Sequence, residues 1–171
     1  MRRAAALFLG CALALAGCFA ELDWREVYWE EAGLKVLLPA RPAKSAREVE
    51  LAGQKVPMEM LQSQLTGMAF GVAYSPLPKG DPDAVLAAVR DGLLRNIDGR
   101  LLTEREVQVR GASAPGREFT GEGVVAGTPM LVAARLVAAG GRFYEVVFVG
   151  RKDRAEKVDL PLYLGSLTIV P

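Results

Sequence analysis

The chain has 171 residues, with 21 basic and 20 acidic side chains, no histidine and two cysteines. The length predicts a single domain, and a net charge of +1 is too small to indicate a nucleic-acid partner. The lack of histidine excludes Ser-His-Asp and Cys-His nucleophile pairs and imidazole metal sites. Neither a cofactor nor a metal is expected.

The N-terminus has the pattern of a secretory signal. Arg2 and Arg3 are followed by residues 4–16, which contain only Ala, Leu, Phe, Gly and Cys. A positive start before a short apolar run is typical of a signal peptide, and the run is shorter than the about 18 apolar residues of a membrane-spanning helix. We therefore predict a signal peptide over residues 1–17. The alternative is an uncleaved anchor, since apolar residues continue to Ala20.

The end of this segment is more specific. Leu15, Ala16, Gly17 and Cys18 resemble the lipobox of bacterial lipoproteins. The resemblance implies cleavage before Cys18, a diacylglyceryl thioether on its sulfur and a further acyl chain on the new amino group. The residue after the cysteine is Phe19 rather than Asp, which resembles an outer-membrane sorting signal. The alternative is an ordinary cleavage site beside an unmodified cysteine.

This prediction fixes the fate of both cysteines. Cys11 leaves with the signal peptide, so the mature chain holds only the lipidated Cys18 and forms no disulfide. Two or three acyl chains anchor a protein stably, whereas one chain binds a membrane only marginally. We expect a lipidated tether over residues 18–23 and one domain over residues 24–171. The domain is expected in the cell envelope, at the outer membrane facing the periplasm in an organism that has one.

Strand signals dominate the first half of the domain. Alternating or continuous apolar residues predict strands at about residues 27–29, 34–38, 47–51, 56–62 and 68–75. The turn residues 52–54 join two of these as a hairpin. Trp24, Tyr28 and Trp29 lie just beyond the lipid and are open to two interpretations, contact with the membrane interface or packing in the core.

One helix is well marked. Asp81 is a favourable N-cap and Pro82 suits the first helical position, which explains the Asp-Pro-Asp sequence better than a metal site does. Apolar residues recur every four positions, at Val85, Val89, Leu93 and Ile97. This stripe predicts a face packed on a sheet, not a cofactor site. Gly99 is predicted to end the helix near a left-handed position.

Four strands are predicted after the helix, at residues 101–109, 116–125, 130–138 and 143–149. Tight turns at residues 126–127 and 140–141 join the last three. Two of these strands are apolar on both faces, which indicates a sheet covered on both sides. Arg135 and Glu145 are expected to face each other across the last hairpin. A second, shorter helix is predicted within residues 153–164, and a start at Asp159 places Pro161 in the first turn, where proline is tolerated. Gly165 ends this helix, and residues 167–170 form a last strand or pack as a tail.

The order of elements resembles the PsbP-like α/β sandwich. Three segments carry this resemblance: the helix at residues 81–97 running into residues 99–101, the step Pro115-Gly116-Arg117-Glu118, and residues 141–147. Similar segments occur in many uncharacterised secreted bacterial proteins. The resemblance implies an α+β fold, mainly antiparallel sheet with helices packed on it, and a binding or assembly role rather than a particular site.

Carboxylate pairs are the remaining candidates for chemistry. Glu48 and Glu50 share one strand face, as do Glu104 and Glu106, and two acids can divide the roles of general acid and base. Both pairs alternate with apolar or basic residues, which is typical of a solvated strand face. Arg117 and Glu118, open to a role in orienting an anion, are better explained as a strand start after a turn.

The sequence therefore favours a membrane-anchored envelope lipoprotein without catalytic activity, acting as a binding, scaffold or assembly module. Its expected contacts are the membrane, through the lipid on Cys18, and an envelope protein partner. Two alternatives are a carboxylate-dependent envelope hydrolase, which requires two acids converging in a cleft, and a carrier that holds a small apolar ligand between sheet and helix.

Overall fold

The computed structural model describes residues 22–170. Ten strands and three helices follow one another along the chain: β1 (Arg25–Trp29), β2 (Leu34–Leu38), β3 (Ala43–Leu51), β4 (Gln54–Leu65), β5 (Met68–Pro76), α1 (Pro82–Arg95), β6 (Arg100–Val107), β7 (Gly116–Val125), β8 (Thr128–Ala139), β9 (Arg142–Arg151), α2 (Lys152–Ala155), α3 (Leu160–Gly165) and β10 (Thr168–Ile169). The signal peptide, the lipobox and Cys18 lie outside the described residues.

The strands form two sheets. Seven antiparallel strands have the order β3-β4-β5-β9-β8-β7-β6, and β2 pairs with β1 and β10 in a separate three-stranded sheet. Helix α1 covers one face of the large sheet, while the small sheet and α3 cover the other. The central strands β8 and β9 are thus enclosed on both sides, as their apolar sequences predict.

Helix α1 confirms most of the local prediction. The side chain of Asp81 accepts a hydrogen bond from the amide of Asp83, and Pro82 occupies the first turn. Val85, Val89 and Ile97 are buried against the sheet, but Leu93 is only partly buried. The predicted end differs in detail, because the left-handed residue is Asp98 (φ 48°) rather than the glycine after it.

The opposite face is built around aromatic rings. Phe70 contacts Phe148, Tyr163 and Trp24, with ring centroids 5.1, 5.2 and 5.7 Å away. Trp29 is 4% exposed. Both tryptophans therefore pack in the core rather than form a membrane-interface belt. Tyr28 is exposed.

The fold begins slightly earlier than predicted. Leu22 packs against the aromatic core, and the amide of Asp23 donates to the carbonyl of Pro39 at 2.9 Å. These two residues, assigned to the tether by sequence, belong to the folded domain. At the other end, Asp159 caps α3 by accepting a hydrogen bond from the amide of Leu162, which confirms the second predicted helix.

Candidate functional site

Helix α1 is held on one half of the large sheet. Arg90 of the helix forms an ion pair with Glu104 of β6, at 2.6 Å. Gly121 and Gly123 of β7 allow the C-terminal end of the helix to approach closely, since a Cβ on Gly123 would lie 2.1 Å from the carbonyl oxygen of Ile97. The helix consequently packs on β7 and β8 and leaves part of the other half uncovered.

An open cleft of about 390 Å³ lies between α1 and the uncovered strands. Val89 and Leu93 line it from the helix, Met58 and Met60 line it from β4, and Arg47 of β3 lies at its side. The volume is within the range of small-molecule sites, which are mostly apolar with few polar groups. Methionine side chains suit such a site because they adapt to ligands of different shape.

Glu145 of β9 is the less exposed of the two acids that line this cleft. Its side chain is partly buried, and no hydrogen bond or ion pair joins its carboxylate to any residue between 22 and 170. Burial raises the pKa of the Glu145 carboxyl from 4.5 to about 7, and the positive charge of Arg47 offsets only part of this rise. A desolvated acid without a bonded partner, in a cleft, is a candidate site residue.

Glu118 of β7 offers a contrast within the same sheet. It is 8% exposed and accepts hydrogen bonds from Nε of Arg105 at 3.0 Å and from Nε of Arg135 at 2.9 Å. Burial alone would raise the pKa of the Glu118 carboxyl, but the hydrogen bonds from the two arginines outweigh burial and hold this pKa below its ordinary value. These hydrogen bonds link the side chains of β6, β7 and β8 to one another, so this network is structural.

The predicted pairing of Arg135 with Glu145 is wrong. Arg135 lies opposite Val146, and Glu145 lies opposite Leu136. The two-residue turn sets a register one residue away from the expected one, and a shift of one residue puts two side chains on opposite faces of a sheet. Arg135 instead pairs with Glu118 on the neighbouring strand.

The predicted carboxylate pairs do not converge. Glu48 and Glu50 lie on β3 and Glu104 and Glu106 on β6, which are the two opposite edges of the seven-stranded sheet. Glu48 forms an exposed ion pair with Lys55, and Glu104 holds helix α1.

Glu50 lies at the rim of the cleft, far from Glu145. In register, Ser45 of β3 lies level with Met60, Ala73 and Glu145 on successive strands. Glu50 is five residues farther along β3, or about 16 Å at the rise of a strand. That exceeds the separation of about 5–10 Å at which two carboxylates act on one glycosidic bond.

Arg117 has a structural setting as well. Its guanidinium lies 3.3 Å from the carboxylate of Asp83 and 3.9 Å from that of Glu106. These contacts join the start of β7 to α1 and to the edge strand. They favour the prediction of a strand start over a role in orienting an anion.

Sequence reasoning missed Glu145 as a site residue. One signal was present, since it is the only charged residue between Phe143 and Val149 in a strand predicted to be covered on both sides. Buried charges are normally paired, so a lone acid in such a strand is unusual.

The described residues form neither a metal site nor a membrane-spanning helix. Over the described part of the chain, no group of three or more acidic, histidine or cysteine side chains is arranged to hold a metal ion. Within the same residues, no helix has the length and apolar character needed to cross a membrane.

With the fold and the cleft described, comparison with known proteins identifies the fold class. The structure is similar to cyanobacterial PsbP (CyanoP) from Synechocystis, with a TM-score of 0.53 and 14% identity over 94% of this chain and 99% of that chain. The fold is therefore PsbP-like, an α+β architecture built on an antiparallel sheet, as the sequence predicts. LpqN, a Mycobacterium tuberculosis protein involved in cell envelope biogenesis, aligns with a TM-score of 0.46 and 14% identity over 87% of this chain and 79% of that chain. No protein-family model and no curated protein matches the sequence.

Proposed function

We propose that this chain is a lipid-anchored, non-catalytic binding protein of the cell envelope, and that its ligand site is the cleft between α1 and the sheet. The observation that carries the proposal is Glu145, an unpartnered acid in a cleft that has an apolar wall and a charged rim. Folding tolerates a desolvated acid of this kind at a cost in stability, and such a cost is typical of groups kept for function. The ligand is a small molecule with a largely apolar body.

The non-catalytic role is supported by what surrounds the acid. Glycoside hydrolysis by carboxylates uses two acids that flank one reacting bond. Glu50, the other acid that lines the cleft, lies about 16 Å farther along its strand than the level of Glu145. The chain also lacks histidine, the side chain that most often serves as a general base.

The cleft is tested by blocking it. Ala88 lines the cleft on α1, and Ala84 lies one turn earlier and is exposed. We expect Ala88→Phe to abolish binding of a neutral dye that fluoresces on leaving water, whereas Ala84→Phe binds as the unmodified protein does. Equal binding by both variants would show that the dye, and the proposed ligand, does not use this cleft.

The anchor is tested at Cys18. A Cys18→Ala precursor is expected to remain uncleaved and to lose metabolic labelling with palmitate, because the thiol that accepts the lipid is absent. Cys11→Ala is the matched control and is expected to be labelled normally. Palmitate labelling of the Cys18→Ala chain would contradict the lipobox prediction without affecting the cleft.

The envelope protein partner needs a separate test. Crosslinking of the anchored protein in its native membrane, followed by purification, is expected to recover one partner protein in a fixed ratio. Recovery of only lipid and the protein itself would leave the anchored domain as a ligand-binding module and contradict a scaffold or assembly role.

A further inference from the structure

We propose that the ligand of the cleft is a monocationic amphiphile, a protonated amine carried on an apolar chain or ring. This inference rests on the cleft being the ligand site, as proposed above. Its basis is the juxtaposition of one unpaired carboxylate, Glu145, with an apolar wall formed by Met58, Met60, Val89 and Leu93.

The carboxylate decides the charge of the ligand head. Buried carboxylates in proteins are normally paired, and Glu118 shows that this chain supplies arginine partners where it needs them. Glu145 has no such partner among residues 22–170. A ligand ammonium would donate a charge-assisted hydrogen bond to it in a poorly hydrated setting, where such bonds are strongest.

The other charged groups near the site do not compete for this role. Arg47 and Glu50 line the cleft from β3, and Arg95 lines it from the end of α1. These three residues are exposed, so water screens their charges. Arg47 is nevertheless the one whose charge acts on Glu145, without reaching ion-pair distance.

The remaining neighbours of Glu145 are apolar or neutral. The residues directly opposite it on β5 and β8 are Ala73 and Leu136. On the far face of the sheet, Tyr163 donates hydrogen bonds to the carbonyls of Gly71 and Val147. Burial raises the pKa of the Tyr163 hydroxyl, and the charge of Glu145 raises it further, so this hydroxyl stays neutral.

Proton linkage follows from this arrangement. A bound ammonium requires the ionised form of Glu145, so binding below the pKa of this group releases its proton to water. An alkylamine stays protonated near neutrality, as lysine does. Its affinity should therefore fall by about tenfold between about pH 8 and about pH 6, where the fraction of ionised Glu145 falls by about that factor.

The test compares three probes with the same eight-carbon chain: octylamine, octanol and octanoate. Binding is measured by calorimetry to residues 19–171, which contain every described element, in buffers of different ionisation enthalpy that reveal proton release. We expect octylamine to bind most tightly at about pH 8, to weaken as the pH falls and to release a proton at about pH 6. Octanol should show no such dependence.

Two variants separate charge from folding. Glu145→Gln keeps the shape of the side chain and is expected to weaken octylamine by about tenfold, the effect of losing a hydrogen bond to a charged group, with octanol unchanged. Glu48→Gln, at an exposed acid outside the cleft, is the matched control and should change neither. Unchanged octanol binding would also show that Glu145→Gln is folded.

The failures of the two proposals are distinguishable. If octanol binds but octylamine binds no better and ignores Glu145→Gln, the cleft is a ligand site and the inference of a cationic head is overturned. Octanoate binding more tightly than octylamine would overturn it in the same way. If none of the three probes binds, the cleft proposal fails together with the inference.

Discussion

Two acids on opposite faces of one sheet differ in their partners. Glu118 lies between Arg105 and Arg135 and has a lowered pKa, while Glu145 has no bonded partner in the described structure and a pKa of about 7. Both lie on antiparallel strands separated only by β8. The difference shows that the partners of a buried acid, and not burial alone, decide the direction of its pKa shift in this fold.

The largest change in the free energy of unfolding should come from replacing Glu118, the acid that has arginine partners. Glu118→Leu leaves Arg135 buried without its carboxylate, and loss of one member of a buried ion pair costs about 4 kcal/mol. We expect the free energy of unfolding in urea to fall by about this amount. Glu145→Leu, which removes an unpaired acid, should leave it unchanged or raise it at about pH 8. Similar losses in both variants would mean that Glu145 has a structural partner too.

A somewhat smaller change in the free energy of unfolding is expected when the pH passes through the titration of Glu145. Glu145 binds its proton more tightly in the folded state, because its pKa rises from 4.5 to about 7 on folding. Stability therefore falls as the pH rises through this window, by about 3 kcal/mol at 1.36 kcal/mol per pKa unit. Glu145→Gln should remove this fall in urea unfolding measured at about pH 5 and about pH 8.

Glu118 contributes with the opposite sign to the same profile. Its lowered pKa gives stability that is present above the unfolded pKa and lost as the pH falls through the folded one. The difference between the variant and the unmodified protein isolates Glu145 from this contribution. A Glu145→Gln profile parallel to that of the unmodified protein would contradict the raised pKa.

The smallest change in the free energy of unfolding is expected at α1, the helix that forms one wall of the cleft. Asp81→Ala removes the N-cap of α1, which we expect to cost about 1 kcal/mol in urea unfolding. Asp81→Asn keeps an accepting oxygen and should be nearly neutral. The loss should be equal at about pH 6 and about pH 8, because the cap takes no part in the environment of Glu145. A loss that depended on the Glu145 titration would show that helix position and cleft ionisation are coupled.

The sequence was most informative where the interactions are local. The N-cap and proline of α1 and of α3 lie within a few residues of the elements that they start, and so do the residues of the tight turns. These features were predicted correctly because a turn or a cap depends on side chains next to each other in the chain.

The cleft was not predictable in the same way. Its walls come from β3, β4, β9 and α1, and their relative positions depend on strand order and register. Even a one-residue error in the last hairpin moved Arg135 from one face of the sheet to the other. Glu145 could be recognised as a candidate site residue only from the structure, in which no described residue is bonded to its carboxylate.

The glycines of β7 have a consequence for the shape of the cleft. Gly121 and Gly123 set how closely α1 approaches β7, and they thereby set how much of β9 the helix leaves open. A side chain at either position would force the C-terminal end of the helix away from β7. The width of the cleft is thus coupled to two backbone positions outside its lining, and a side chain there would alter the cleft while every lining residue stayed the same.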